Sequence, residues 1–128
     1  MNEDFKVTPW EVSGEIDYDL LVEKFGTKKI DADLIDRLSQ YAEPHPLLKR
    51  GVVYSHRDME WILDRYEAGE PFYLYTGRGP SGNTHLGHLM PWIFTKYLQD
   101  TFKVPLYFQL TDDEKYLFND NLELQDSR

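Results

Sequence analysis

Three consecutive segments constrain this chain more than any others. Phe72-Tyr73-Leu74-Tyr75-Thr76 is almost wholly apolar, Gly77-Arg78-Gly79-Pro80-Ser81-Gly82-Asn83-Thr84 is a glycine-rich loop, and Leu86 to Phe102 is long and amphipathic. An unbroken apolar run suits a strand buried on both faces of a sheet. Leu86, Leu89, Met90, Ile93, Phe94, Tyr97 and Leu98 keep helical spacing. Pro91 falls inside that helix and removes the bond its N–H would give to the Gly87 carbonyl, which predicts a local kink. Lys103 and Pro105 end it, and Leu106-Tyr107-Phe108-Gln109-Leu110 reads as a second buried strand. Strand, helix and strand of these lengths make a βαβ unit, almost always right-handed, so the sequence predicts an α/β fold with a parallel sheet. Ligands of such sheets sit beyond the carboxyl ends of the strands. Residues 77–88 and 109–115 both fall there.

The chemistry of that edge suits phosphate. Glycine loops expose backbone N–H groups, and a helix N-terminus adds partial positive charge. His85 and His88, three apart at the start of the helix, lie on one face and can reach the same anion. With four histidines in all and no cysteine, the sequence argues against a zinc site. Without a ligand, the pair reads as polar residues opening a helix. Thr111-Asp112-Asp113-Glu114 has two readings as well, since Thr-x-x-Glu is a capping box for a helix carrying Tyr116, Leu117 and Phe118.

The preceding residues read as mostly helical. Residues 5–16 look like an irregular arm. Asp17 caps a short helix through Phe25, with Gly26 as its stop, and Asp31 caps a second with Leu34, Ile35 and Leu38 on one face. Glu43-Pro44-His45-Pro46 is a loop, Val52-Val53-Tyr54 a short strand, and Ser55 to Ala68 a helix with Met59, Ile62, Leu63 and Tyr66 inward, Asp58 completing a cap with Ser55, and Gly69 ending it. Arg57 and Asp58 read as a surface ion pair, and the tryptophans as core or interface residues.

The totals set bounds. The chain has 128 residues, 41% hydrophobic and 15% aromatic, enough for a core. No run approaches a membrane span, and the first residues have no signal-peptide pattern, so the expectation is a soluble cytoplasmic protein. Net charge is −9 with no basic stripe. Any RNA partner is therefore expected to be gripped mainly by regions beyond these residues. One crossover helix on two strands leaves open edges, so the chain reads as part of a longer protein.

Taken in order, Tyr75-Thr76-Gly77-Arg78-Gly79-Pro80-Ser81-Gly82, His85-Leu86-Gly87-His88 and Gln109-Leu110-Thr111-Asp112-Asp113-Glu114-Lys115 resemble tryptophanyl-tRNA synthetase of the archaeal and eukaryotic type, a class I aminoacyl-tRNA synthetase. His85 to His88 match the signature written HIGH. Lys6-Val7-Thr8-Pro9-Trp10-Glu11, Ile16-Asp17-Tyr18, Lys24-Phe25-Gly26 and Ser55-His56-Arg57-Asp58 resemble the same family. Its KMSKS-type loop and anticodon-binding domain have no counterpart here, so the resemblance is to an N-terminal fragment. It implies residues 1–69 as a helical extension and 70–128 as the first half of a Rossmann-like, HUP-type nucleotide-binding domain.

The resemblance also implies an activity: tryptophan and ATP give tryptophanyl-adenylate and pyrophosphate, and the amino acid then passes to tRNA(Trp). His85, His88 and Arg78 would act on the phosphates. ATP would be bound by Thr76, Gly77, Arg78, Gly79, Ser81, His85, Gly87 and His88, with Mg2+ carried by phosphate oxygens and water. Tryptophan would be bound by Tyr75, Gln109, Glu114 and Lys115, the last two suiting its ammonium and carboxylate. Either the Tyr75 hydroxyl or the Gln109 carbonyl oxygen suits the indole N–H, a donor only. No protein-held metal and no membrane are expected, and the full-length protein is expected to be a homodimer. Two other readings remain: a non-catalytic ATP- or tryptophan-binding module, and the tyrosine enzyme of the same fold.

Overall fold

The computed structural model describes residues 6–7, 12–13, 17–79 and 82–111. Within the stretch 5–16, read as an irregular arm, β1 (Lys6–Val7) and β2 (Val12–Ser13) form an antiparallel pair, and the rest of that stretch lies outside the described residues. Helix α1 (Tyr18–Phe25) starts at Asp17, whose carboxylate accepts the N–H groups of Asp19 and Leu20, and stops at Gly26 with φ 61°. After β3 (Lys28–Lys29), α2 (Ala32–Ser39) is capped by Asp31, which accepts from Leu34 N–H at 2.8 Å. Helix α3 (Pro46–Lys49) follows, with proline at its first position, where the missing N–H costs nothing.

The stretch from 52 to 58 departs from expectation. Residues 52–54 are not a strand, although the Tyr54 carbonyl accepts from Ile30 N–H at 2.8 Å. Ser55 and His56 are not helical. They form β4 (Ser55–His56), antiparallel to β3. Helix α4 (Met59–Glu67) starts four residues later than predicted, and Asp58 makes no side-chain cap at φ 59°. His56 Nδ1 takes the Met59 N–H instead, at 3.1 Å. An imidazole nitrogen can serve as the capping acceptor as an Asp or Ser oxygen does, which a search for Ser-x-x-Asp overlooks.

β5 (Leu74–Arg78), α5 (Leu86–Phe102) and β6 (Leu106–Leu110) form the predicted parallel unit, with Tyr75 beside Tyr107 and Gly77 beside Gln109. β5 lies two residues later than the apolar run suggested, taking in Gly77 and Arg78. Helix α5 runs through Pro91 and closes on Lys103 at φ 54°. The sheet is not buried on both faces. Trp92 of α5 meets Phe108, while Tyr73, Tyr75 and Tyr107 are exposed on the opposite face. Leu86, Leu89, Met90 and Ile93 are exposed too, so the first half of the apolar helix face is uncovered among the described residues.

The core lies at the other end of α5. Leu34, Leu38, Leu48, Leu63 and Phe102 are each 4% exposed or less, and Tyr41, Tyr66 and Phe72 ring Phe102 at centroid distances of 5.9, 4.9 and 5.6 Å. Above it, Arg37 reaches Asp64 at 2.6 Å and Glu67 at 2.9 Å, and the Tyr41 hydroxyl donates to Glu67 at 2.7 Å. Hydrogen bonds from Arg37 and then Tyr41 hold the Glu67 carboxyl below the usual carboxylate range. The hydrogen bond to Glu67 holds the Tyr41 phenol above its ordinary value. Helix α5 is thus anchored by its last turn, and its first turn stands at the carboxyl edge of the sheet.

Candidate active site at the carboxyl edge

Tyr75 and Gln109 share one face of the sheet. In-register parallel pairing puts Gly77 opposite Gln109, and side chains two residues apart point the same way. The Tyr75 hydroxyl donates to Gln109 Oε1. This leaves the Tyr75 oxygen its lone pairs and Gln109 its two amide N–H donors. Both side chains are exposed, forming one wall rather than a closed pocket. Gly77 is required where it stands: a Cβ would come within 2.6 Å of the Gln109 carbonyl oxygen. Its close neighbour is the adjacent strand β6. Thr76 is half-buried on the face toward α5.

His85 is the N-cap of α5. Its Nδ1 accepts the Gly87 N–H at 3.1 Å, and His88 Nδ1 accepts the His85 N–H at 3.2 Å, a reciprocal capping box made of two imidazoles. The rings stack at 3.8 Å. A neutral imidazole accepting at Nδ1 carries its proton on Nε2, so these contacts assign both rings to the Nε2–H tautomer. Gly87 makes room for this. A Cβ there would meet His85 Cε1 at 2.9 Å and Nδ1 at 3.1 Å. Trp92, one turn beyond His88, stacks with it at 6.4 Å and meets Phe108 at 5.1 Å, linking the imidazole pair to β6.

Arg78 ends β5 and turns its guanidinium back over the loop, donating to Thr84 Oγ1 at 2.5 Å and to the Gly82 and Asn83 carbonyls at 3.2 Å each. Gly82 has φ 81°, a conformation open to glycine. Gly79 lies just past the strand end. The sequence reading missed Thr84, although a hydroxyl immediately before a capping histidine and six residues after an arginine was there to be weighed. Ser81, Glu114 and Lys115 lie outside the described residues, as does the helix predicted after Thr111. The structure therefore brings Tyr75 to Gln109, His85 to His88, and Arg78 to the loop before them. A recess of about 520 Å³ elsewhere, between Tyr41 to Glu43 and the Ile93, Lys96, Tyr97 and Asp100 side of α5, contains none of these residues.

No family model matches the chain. Individual relatives do. It is 49% identical to the tryptophan–tRNA ligase of Pyrobaculum arsenaticum over 99% of its own length and 34% of that protein. It is 55% identical to the cytoplasmic tryptophan–tRNA ligase of Arabidopsis thaliana over 95% of its length and 32% of that protein. Among solved structures, the Plasmodium falciparum tryptophanyl-tRNA synthetase superposes with a TM-score of 0.79 at 49% identity, over 86% of this chain and 31% of that one. The Encephalitozoon cuniculi tryptophanyl-tRNA synthetase, solved bound to tryptophan, gives 0.79 at 45% identity over 88% and 32%. The chain thus spans about a third of the length of the relatives it matches. With half of its residues and its Rossmann-like α/β unit in common with them, it belongs to the tryptophanyl-tRNA synthetase family.

Proposed function

We propose that the full-length protein carrying this chain is a tryptophan–tRNA ligase. A tryptophan carboxylate oxygen attacks the α-phosphorus of ATP, and the bond to the bridging oxygen breaks as pyrophosphate leaves. The ribose hydroxyl at the end of tRNA(Trp) then takes the tryptophanyl group, and AMP departs. No protein nucleophile is needed, so the protein contributes positioning and stabilisation of phosphate charge.

In this reading the Nε2–H groups of His85 and His88 donate to the triphosphate, together with the backbone N–H groups of Gly77, Gly79 and Ser81, while Thr76, Arg78 and Gly87 line the site with their own N–H groups committed to β6 and to the His85 ring. Magnesium enters with ATP as the substrate complex, held by phosphate oxygens and water. The Tyr75 oxygen accepts the indole N–H, because the Tyr75 proton is already committed to Gln109. Glu114 takes the substrate ammonium and Lys115 its carboxylate. Residues 1–69 serve as a helical extension of the nucleotide-binding unit that 70–128 begin. Full-length copies pair as a homodimer in the cytoplasm, and regions beyond this chain grip most of the tRNA.

The observation that carries the proposal is the pairing of Tyr75 with Gln109 at the same sheet edge as the stacked His85 and His88. The test is ATP–pyrophosphate exchange by the full-length protein. Exchange that depends on tryptophan supports the reading. Exchange with tyrosine and none with tryptophan makes it the tyrosine enzyme, and binding of ATP and tryptophan without exchange makes it a non-catalytic module.

A further inference from the structure

We propose that Arg78 is a positioning residue, which shapes the loop before His85 by clamping Thr84, and that it is not a direct phosphate cation. The inference rests on the ATP-site reading above. Arg78 is held from two sides. Its carbonyl accepts the Thr111 N–H at 3.1 Å, tying the end of β5 to the end of β6. Its guanidinium reaches Thr84 Oγ1 at 2.5 Å and the carbonyls of Gly82 and Asn83 at 3.2 Å. These acceptors belong to the three residues immediately before the N-cap His85.

A planar guanidinium offers donors in a rigid fork, and bonds from a charged donor are the stronger kind. Both two-donor edges of the guanidinium include Nη2, which is spent on the Gly82 and Asn83 carbonyls, so a bidentate hold on a phosphate would displace the clamp. The positive φ of Gly82 lets the backbone bend beneath the fork and offer its carbonyl to it. With the loop fixed, His85 enters the helix at the extended φ −130° and ψ 174°, the geometry from which its ring reaches Gly87. The ordering of the phosphate donors is then settled before ATP arrives, the condition under which positioning accelerates a reaction.

Thr84 isolates this role, because Thr84→Val removes the acceptor at nearly constant shape and leaves the arginine charge in place. In the full-length protein Thr84→Val should lower kcat for exchange roughly 10-fold, short of the roughly 100-fold of a full misplacement because the bonds to the Gly82 and Asn83 carbonyls remain, with KM for tryptophan unchanged. Thr84→Ser, which keeps the hydroxyl, should restore kcat. A second readout needs no catalysis. Loosening the clamp frees the backbone before the helix, so Thr84→Val should speed amide hydrogen exchange at Gly82 to His85 several-fold, read by mass spectrometry, and Thr84→Ser should not. Wild-type exchange protection and kcat in Thr84→Val, with a large loss of kcat in Arg78→Lys, would overturn the clamp and make Arg78 a direct phosphate ligand. If the wild-type protein lacks ATP–pyrophosphate exchange but Thr84→Val still loses protection at Gly82 to His85, the enzyme reading fails while the clamp stands.

Discussion

Gly87→Ala separates folding from function at this site. A Cβ on residue 87 would lie 2.9 Å from His85 Cε1 and 3.1 Å from Nδ1, too close for the ring to stay. The imidazole is the far end of a side chain with two rotatable bonds, so the ring moves and the helix does not. Moving it breaks the bond from Gly87 N–H to His85 Nδ1 and the 3.8 Å stack on His88. Losing a cap costs about 1 kcal/mol. Replacing glycine by alanine within a helix returns about 1 kcal/mol. Net stability should change by no more than about 0.5 kcal/mol, the scatter of such terms. Activity should not be spared. A displaced donor to a developing phosphate charge costs on the order of 100-fold to 1,000-fold in kcat. The assay is tryptophan-dependent ATP–pyrophosphate exchange beside thermal unfolding, both on the full-length protein. An alanine variant with unaltered melting and kcat within twofold of wild type would refute the argument that ring placement at His85 matters.

Other predictions address separate parts of the structure. Tyr75→Phe removes the proton given to Gln109 and the oxygen offered to the indole; KM for tryptophan should rise about 10-fold, as the loss of one or two hydrogen bonds implies, and an unchanged KM in steady-state exchange would count against the indole site. Glu67, held low by Arg37 and Tyr41, contributes stability above the unfolded carboxylate pKa of about 4.3 and loses it as pH falls through the lower folded value. Glu67→Gln should therefore lower the melting temperature at pH 7 and flatten its fall between about pH 5 and 3, and an unflattened curve would show that the Arg37 cluster is not linked to acid unfolding.

The order of elements was readable because each left a local mark. Asp17, Asp31 and Gly26 announce helix ends by their own chemistry, and the run from Leu86 to Leu98 keeps one period throughout. What escaped reading depends on contacts between distant residues. β4 forms because Lys28 and Lys29 are brought beside Ser55 and His56, which no pattern within 55–68 discloses. Exposure of Tyr73, Tyr75 and Tyr107 could not be told from burial, since an apolar strand looks the same with one face covered or two. At the site, residue types were legible but their mutual bonds were not. His85 and His88 suggested anion donors, while their use of Nδ1 as a mutual cap follows only from the fold. Gly77 reads as part of the nucleotide loop, while the close Gln109 carbonyl that also requires a glycine there follows only from the pairing of β5 with β6.

A crystal structure of the full-length protein with tryptophan and a non-hydrolysable ATP analogue tests the central claim most directly. The account predicts phosphate oxygens within hydrogen-bond distance of Nε2 on His85 and His88, and the indole nitrogen within the same reach of the Tyr75 oxygen. Phosphates bound away from the first turn of α5, or an indole on the α5 side of the sheet, would contradict it.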